Sequence, residues 1–567
     1  MQGWTINATL DTITFYLPPQ TGTDNIEVRE MPSSGVGGSD VWALGAWSPH
    51  YGYPREVEFY ADRLWFASSP SDPQTFWASC IGDYANFGRS SPIVDSDAVT
   101  FAINARQVNT VKDLVPLDNL LALTTGGEYK ITGGSDEVVT PSTISAKNQG
   151  NSGTGDVPAT LIGESAIFIQ HEGQKIRDLR YQFEKDGFRG NDISVWADHL
   201  FLGHEVRSID YWKAPWQVVW FIRDDGVRVG CTYMPEQEVI GWHPHDTDGE
   251  FLDACSLPGT KESESYYLVR RFINGEWVQF IEQQAPTRYE DEDDMFFVDC
   301  GLQYDGRNRG DTTLTLTTTG GWTEEDELTV TASEALFEAG DVNDGFEVWR
   351  DVQEVIEGVL RTRRVSVRLV IDAFDDEQTV RARSIGTVPP ELRGEALATW
   401  TFQRETIGNL WHLEGKQVAV LSDSAVAGPF TVDGGRIEMG ARGGVVNIGL
   451  PYTAEIETLE LNNPGGESMR DQHKLAYKVS ILLLASRGVF AGGVRDKLYP
   501  VKERRFEDYG QPPFLKSGIV DVDIPSGWGE DAGRVRIVSI DPLPLEVLSI
   551  TTRAVGSNAQ VGGSRGA

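Results

Sequence analysis

Five glycine-centred hairpins recur through the first half of the chain and constrain its fold more than any other feature. In each hairpin, apolar residues alternate on both sides of a short turn, as in an antiparallel pair with one buried face. The turns lie about fifty residues apart, and a strand-built period of ~40–50 residues is typical of four-stranded propeller blades. The hairpins are Arg63–Ala67 with Trp77, Leu120–Leu123 with Tyr129–Ile131, Ala166–Ile169 with Lys175–Leu179, Trp216–Ile222 with Val227–Tyr233, and Tyr266–Phe272 with Trp277–Ile281.

Changes of residue pattern along the chain divide it into several segments. This is expected, because 567 residues are too many for one hydrophobic core. The patterns predict an all-β protein: a β-propeller with an inserted β-sandwich or small barrel and an additional C-terminal β domain. The predicted segments are an N-terminal strand segment (1–48), propeller blades (49–300), the inserted domain (301–395), a further blade or small barrel (396–460), a C-terminal β region (461–556) and a flexible tail (557–567).

Charge and cysteine content exclude several classes of protein. The net charge of −36 argues against sequence-reading binding of nucleic acid, which needs basic patches. The four cysteines lie far apart without a CxxC pair, so we expect free buried thiols rather than zinc ligation or disulfides. No apolar run approaches the ~20 residues of a membrane span, and the first residues do not form a secretory signal.

The sequence offers few candidates for catalytic or metal chemistry. The spacing of His243, His245, Asp246 and Asp248 is the nearest approach to a metal site, because alternate residues of a strand share a face. We interpret this string as a structural turn, with an incidental ion or a zinc site as the alternatives. Asp246–Glu250 lacks the remaining positions of a calcium loop, which favours a hairpin turn.

A literal G-x-S-x-G string at 562–566 lies at the chain end with no strand before it or helix after it, so it does not predict a nucleophile elbow. Phosphate-loop, zinc-protease and dinucleotide-binding patterns are absent from the sequence. We therefore expect no enzymatic activity, no cofactor and no metal.

Ten strings of residues occur in one order along the chain and together carry a resemblance. They are Gly52–Arg55, Asp62–Ala67, Gly82–Phe87, Asn104–Asn109, Thr124–Glu128, Gly190–Ile193, Gly241–Gly249, Leu410–Gly415, Gly449–Tyr452 and Ser486–Gly492. In this order they resemble the tail nozzle proteins of short-tailed bacteriophages, the tail tubular protein B-like or phage stabilisation proteins. The similarity covers about residues 50–300 and 396–550, and the segment 305–395 resembles the variable domain of such proteins.

This resemblance implies a structural virion protein. Members of the family form a six-fold ring below the adaptor ring, extend the DNA-ejection channel and carry fibres or spikes. For this chain it implies a homohexamer in the virion tail, assembled in the host cytoplasm, with the adaptor ring, tail fibres and passing genomic DNA as partners. Relatives have a longer region before Gly52 than this sequence has.

The acidic composition suggests how such a ring would treat DNA. Acid-rich walls repel phosphates, whereas basic walls retain them, so a conduit benefits from acidic residues facing its lumen. The most concentrated acidic run is a channel-lining candidate; its alternative interpretation is a solvated linker between domains. The run comprises Glu290, Asp291, Glu292, Asp293 and Asp294.

Two other functions remain compatible with the sequence. One is a receptor-binding propeller of a phage tail, acting as a monomer or trimer. The other is a virion-associated glycan depolymerase, which would need a pair of carboxylates. With 85 acidic residues the sequence singles out no such pair.

Overall fold

The computed structural model of the chain describes residues 4–6, 13–15, 45–105, 108–134, 138–356, 359–462, 473–494, 497–504, 512–525 and 533–556. These residues form two compact units, one of residues 1–116 and 131–146, the other of residues 117–130 and 147–567. The predicted tail 557–567 and most of the predicted segment 1–48 lie outside the described residues.

The first unit is built of short antiparallel strands. β1 pairs with β2, and β3 to β6 form a four-stranded sheet in which each strand pairs with the next. The fully buried Arg63 donates hydrogen bonds to the carbonyl oxygens of Ser79 and Asp97, both at 2.6 Å, and so satisfies a cation inside the sheet's core. The strands are β1 (Trp4–Ile6), β2 (Ile13–Phe15), β3 (Glu56–Tyr60), β4 (Arg63–Ala67), β5 (Thr75–Ala78), β6 (Val99–Ala102) and β7 (Val111–Pro116).

The residues of the next three strands are divided between the two units. β8 belongs to the second unit, and β9 and β10 each contain residues of both. They are β8 (Leu120–Thr124), β9 (Gly127–Gly133) and β10 (Ile144–Asn148).

Three antiparallel sheets follow in the second unit, again in chain order. Two have four strands, β11–β14 and β15–β18, and the third has three, β19–β21. Their strands are β11 (Thr160–Ile162), β12 (Ser165–Ile169), β13 (Ile176–Gln182), β14 (Gly187–Asp192), β15 (Val206–Trp212), β16 (Val218–Arg223), β17 (Arg228–Met234), β18 (Val239–His245), β19 (Glu250–Leu257), β20 (Glu264–Ile273) and β21 (Glu276–Gln283).

The predicted hairpins are confirmed in these sheets. Asp224-Asp225-Gly226 connects β16 to β17, and Gly226 has a φ of +80°, which glycine adopts without strain. Asn274-Gly275 connects β20 to β21 with φ values of +51° and +89°, as a two-residue hairpin turn of this composition requires. By contrast, Asp246–Gly249 connects strands of different sheets and is not a hairpin turn.

The next strands along the second unit form two sheets, and strands of one sheet alternate in sequence with strands of the other. One has eight strands in the order β28-β23-β24-β27-β26-β25-β29-β32, and the other has the order β22-β33-β30-β31. Their strands are β22 (Asp299–Asp305), β23 (Leu314–Thr317), β24 (Leu328–Ala332), β25 (Gly345–Ile356), β26 (Val359–Asp376), β27 (Thr379–Ile385), β28 (Ala396–Leu397), β29 (Trp400–Ile407), β30 (Gln417–Ser422), β31 (Ala425–Thr431), β32 (Ile437–Gly443) and β33 (Val445–Leu450).

The eight-stranded sheet has one apolar and one charged face. Leu316, Val330, Phe346 and Ile371 belong to its buried core. Oppositely charged side chains of neighbouring strands form ion pairs on the exposed side, for example Arg368 with Glu347 at 3.2 Å. The sheet continues through β28, β29 and β32, so the predicted domain boundary at residue 395 falls inside it.

Two further sheets close the described chain, β34-β39-β36-β37 and β38-β35-β40, around a core that includes Val479, Ile481 and Ile537. Their strands are β34 (Ala454–Glu457), β35 (Lys474–Ser486), β36 (Val489–Gly493), β37 (Tyr499–Pro500), β38 (Lys516–Asp523), β39 (Val535–Ser539) and β40 (Val547–Gly556).

The fold class predicted from the sequence is thus confirmed: the protein is all-β, with propeller-type consecutive sheets. Over the described ranges, the helical elements are short 3-10 turns of three residues. These turns are Phe183–Lys185, Asp198–Leu200, Pro235–Gln237, Glu292–Asp294, Ala339–Asp341, Pro390–Leu392 and Trp411–Leu413.

Candidate functional site

The acidic run 290–294, here called the acidic corner, lies between β21 and β22. Glu292–Asp294 form a 3-10 turn, and the Asp291 carboxylate accepts a hydrogen bond from the backbone N–H of Asp293 at 3.1 Å. A capping carboxylate of this kind satisfies a free donor of the turn. The local sequence therefore folds into an ordered turn and not into an extended linker.

Cations of the same unit neutralise part of the corner. Lys261 Nζ lies 2.7 Å from Glu290 Oε1, although both side chains are largely exposed, with 89% exposure for that of Glu290. Arg307 pairs with Asp294 and lies 3.8 Å from Asp291. Surface pairs of this kind contribute little stability, but they reduce the net field that the corner presents.

Asp293 points into the protein. The Ser424 hydroxyl donates to its Oδ1 at 2.6 Å, and the Asn447 amide donates to its backbone oxygen at 3.3 Å and to that of the fully buried Met295 at 2.7 Å. Burial, with a further contribution from Asp291, raises the pKa of the Asp293 carboxyl. The corner is therefore anchored at Asp293 to the turn after β30 and to β33. Its first two residues, Glu290 and Asp291, are exposed, as the interpretation as a solvated linker expects.

Asp293 provides a first test of that anchoring. Since folding disfavours the ionised carboxylate relative to the unfolded chain, its contribution opposes folding above the pKa of the unfolded state. We expect Asp293→Asn, which keeps an acceptor for Ser424, to leave the unfolding free energy at pH 7 equal or higher. Asp293→Ala loses the acceptor and should lower it by about 1 kcal/mol. Urea unfolding at pH 7 separates the two; equal losses in both variants would contradict the buried position of Asp293.

A polar cleft of about 210 Å³ adjoins the corner through Arg307. Its charged groups are paired: Arg307 Nε donates to Asp305 at 2.8 Å, and Arg404 lies 3.3 Å from Asp341. Burial opposes ionisation of Asp305, but hydrogen bonds from Arg307 and Arg309 outweigh it and lower the pKa of Asp305 to about 2. The cleft is lined by Tyr304, Asp305, Gly306, Arg307, Leu336, Glu338, Asp341, Trp400, Phe402 and Arg404.

The two histidines of the string contact each other directly. His243 and His245 lie on one face of β18, with Nδ1 of the first 2.6 Å from Nε2 of the second. Two nitrogens that bind one zinc ion at ~2.0–2.1 Å lie farther apart than this. Asp248 instead pairs with Lys416 at 2.6 Å. The two histidines are thus strand residues, and the interpretation of the string as a turn is wrong for them.

The histidine pair packs against an aromatic cluster around a half-buried cation. The Arg228 guanidinium lies 4.3 Å from the ring centres of both Trp220 and Tyr267, and both imidazoles contact Trp220 edge-to-face. Burial, followed by the charge of Arg228, lowers the pKa of His243 and lowers that of His245 well below its usual range. Protonation of both imidazoles is therefore disfavoured by burial and by the neighbouring cation.

A different group of possible metal ligands was missed by the sequence analysis. His204 Nδ1 lies 3.2 Å from Asp224 Oδ1 and 3.5 Å from Asp225 Oδ2, the one such group of three among the described residues. Arg223 already binds Asp225 through its Nε and Nη2, with Nε 2.9 Å from Oδ1. His204 lies twenty residues before the turn, and no sequence pattern connects the two.

A second element that the sequence did not reveal is a joint centred on Arg271, which is 3% exposed. Its guanidinium donates to both carboxylate oxygens of Glu282 at 2.5 and 2.7 Å, to Thr247 Oγ1 at 2.8 Å and to Asp299 at 3.2 Å. These groups belong to β20, β21, the connection after β18, and β22. One side chain thus ties the last propeller-type sheet to the sheet that follows.

Comparison with known proteins adds little to this geometry. No family model and no curated protein matches the chain. Among solved structures, Raptor of Chaetomium thermophilum matches with a TM-score of 0.26 and 9% identity, over 59% of this chain and 28% of that one. A luciferin-regenerating enzyme matches with a TM-score of 0.23 and 10% identity, over 62% of this chain and 95% of that one. At such TM-scores neither likeness assigns an activity.

The comparisons and the structure bear on three expectations. The prediction that the chain is not an enzyme is not upheld and is withdrawn: one of the two likenesses is to an enzyme, at a TM-score that assigns no activity in either direction. The prediction about membranes is supported in part: across the described segments, no helix has the length and hydropathy to cross a membrane. The four cysteines are unpaired, but Cys255 is exposed and only Cys231 is fully buried, so the expectation of buried thiols holds for one of them.

Proposed function

We propose that the chain forms the tail nozzle ring of a short-tailed bacteriophage, extends the DNA-ejection channel and anchors tail appendages. The observation that carries this proposal is the coincidence of the family-like strings with the joints between sheets. Gly241–Gly249 contains the Arg271 partner Thr247, and Ser486–Gly492 contains Arg487, a buried residue that donates to the backbone oxygens of Ser424 and Pro513. Two of the ten strings thus contain residues that connect one sheet to another, as a multi-sheet scaffold requires.

Charge supports the same proposal. A ring of six chains, each with a net charge of −36, presents strongly acidic surfaces that repel duplex phosphates and let DNA pass. Within the acidic corner, Glu290 and Asp291 are the exposed side chains, whereas Asp293 is hydrogen-bonded inside the protein. Glu290 and Asp291 are therefore the channel-lining candidates in this proposal.

Oligomeric state tests the proposed ring. We expect light scattering to give a six-fold particle, either for the chain alone or after addition of the adaptor ring, because closed rings form through head-to-tail interfaces. A monomer or trimer under both conditions would contradict the nozzle and would favour the receptor-binding propeller.

Charge reversal tests the lumen. In phage that carries Glu290→Lys and Asp291→Lys, DNA ejection should become slower and more salt-dependent, because cations in the wall retain phosphates. A control is Glu184→Lys, a single charge reversal at an exposed residue of the 3-10 turn between β13 and β14. Identical ejection kinetics in the double variant and the control would contradict the proposal that the acidic corner lines the lumen.

A further inference from the structure

The three-stranded sheet β19–β21 ends in a strand that is far more exposed than its counterparts. In the four-stranded sheets of the same unit, the third strands β13 and β17 each contain three or more buried residues. β21 occupies the same third position but contains none, and no strand lies on its outer side among the residues the structure describes. A row of open backbone donors and acceptors is thus available for pairing with another strand.

The side chains of β21 make this edge apolar. Trp277 is 52% exposed and Ile281 is 79% exposed, and both lie on the face that also carries the exposed Phe272 of β20. An edge that is long and apolar is a site of strand addition in proteins. Because the two preceding sheets have four strands and this one has three, a fourth strand is the partner that the edge of β21 would accept.

The sequence of β21 is complementary to itself in one antiparallel register. When two copies are paired about Gln279, Trp277 lies opposite Ile281 and Val278 lies opposite Phe280, each pair twice. Apolar cross-strand pairs of this kind stabilise a sheet by ~0.2–1 kcal/mol each. A shift of the centre by one residue in either direction places Trp277 opposite a glutamine and leaves a single apolar pair, Val278 with itself or Phe280 with itself, in place of four.

The charges of the strand permit this register. It places Glu276 opposite Glu282, and like charges directly opposite one another would normally oppose pairing. Glu282, however, is already bound by both nitrogens of the Arg271 fork at 2.5 and 2.7 Å. The carboxylate that faces the second copy is therefore neutralised within its own chain.

We propose that the free chain forms a two-fold dimer through antiparallel pairing of β21 with β21 of a second copy, centred on Gln279. The dimer goes beyond the proposed ring, since a two-fold contact does not occur between neighbours in a closed six-fold ring. It covers an apolar edge in the unassembled protein. A contact of seven residues on each side falls below the ~1,200 Å² of standard interfaces, so the association is weak and depends on concentration.

Sedimentation of the full chain tests the dimer. We expect the mass to rise from 62.6 kDa towards twice that value with concentration, and more readily at high salt, because each copy carries −36 charges that repel the other. Ile281→Lys should keep the protein monomeric at the same concentrations. Because Ile281 is exposed, its unfolding midpoint should remain that of the wild type, which distinguishes lost pairing from lost folding.

Disulfide trapping tests the register. In a Cys255→Ser background, Gln279→Cys should cross-link to itself on mild oxidation, since opposite Cβ atoms lie ~4.5–5.5 Å apart. The control Gln283→Cys should not, because its two copies would be about eight residues, or ~26 Å, apart along the strands. A mass that stays monomeric at all concentrations, an Ile281→Lys variant that associates like the wild type, or equal cross-linking at 279 and 283 would each overturn the proposal. The nozzle is tested separately, by the six-fold mass with the adaptor ring.

Discussion

Arg271→Ala should destabilise the second unit by about 3–5 kcal/mol, the cost of removing one partner from a buried ion pair. The variant leaves the carboxylates of Glu282 and Asp299 without their cation and removes a donor to Thr247. Hydrogen exchange measured by peptide should show the loss in β20, β21 and β22, the strands that the guanidinium connects. Urea unfolding gives its total size.

The neighbouring Arg270 is a matched control for this prediction. It lies on the same strand but on the opposite face, where it pairs with Glu250 at the surface and stacks over Trp277 at 4.7 Å. Arg270→Ala should cost about 1 kcal/mol or less. Similar losses in the two variants would contradict the role of Arg271 as a joint.

Acidification should destabilise the protein steeply through His243 and His245. Their pKa values are lowered in the folded state, so the unfolded chain binds more protons as the pH falls. Their contribution to stability is complete above the unfolded pKa of ~6.5 and is lost progressively below it, by up to ~1.4 kcal/mol per pH unit for each histidine. The unfolding free energy between pH 8 and pH 5 measures this slope.

Neutral substitutions isolate the histidine contribution. His243→Gln combined with His245→Gln removes both titrating groups and should flatten the slope below pH 6.5, whatever its effect on absolute stability. His199→Gln, a change at an exposed histidine, should keep the wild-type slope. An unchanged slope in the double variant would show that other groups cause the acid sensitivity.

The hairpins could be predicted from the sequence because their turns and strands are determined by residues that are close together in the chain. Asn274-Gly275 and Asp224-Asp225-Gly226 specify tight turns through their backbone preferences, and the alternating residues around them define strands whatever the rest of the chain does. The repeat of such hairpins was sufficient to predict consecutive blades, which the sheets β11–β14 and β15–β18 confirm.

Pairings between distant residues were beyond the same analysis. β22 pairs with β33, which follows it by about 140 residues, and neither strand's sequence contains a signal that identifies its partner. The acidic corner could be recognised as a boundary, but the hydrogen bond from Ser424 to Asp293 depends on that distant pairing. His204 was missed for the same reason, since its contact with Asp224 is created by the fold.

Strand β29 gives the inserted region a mechanical property. Its first half, Trp400–Gln403, pairs with β25, and its second half, Arg404–Ile407, pairs with β32. The long hairpin β25–β26 is therefore connected to β32 through one strand, β29, whose pairing with β32 shifts register between Arg404 and Thr406. A force applied to the hairpin would therefore reach β32 as shear along the backbone hydrogen bonds of β29. The hairpin is thus coupled to the following strands by strand pairing and not by a flexible linker.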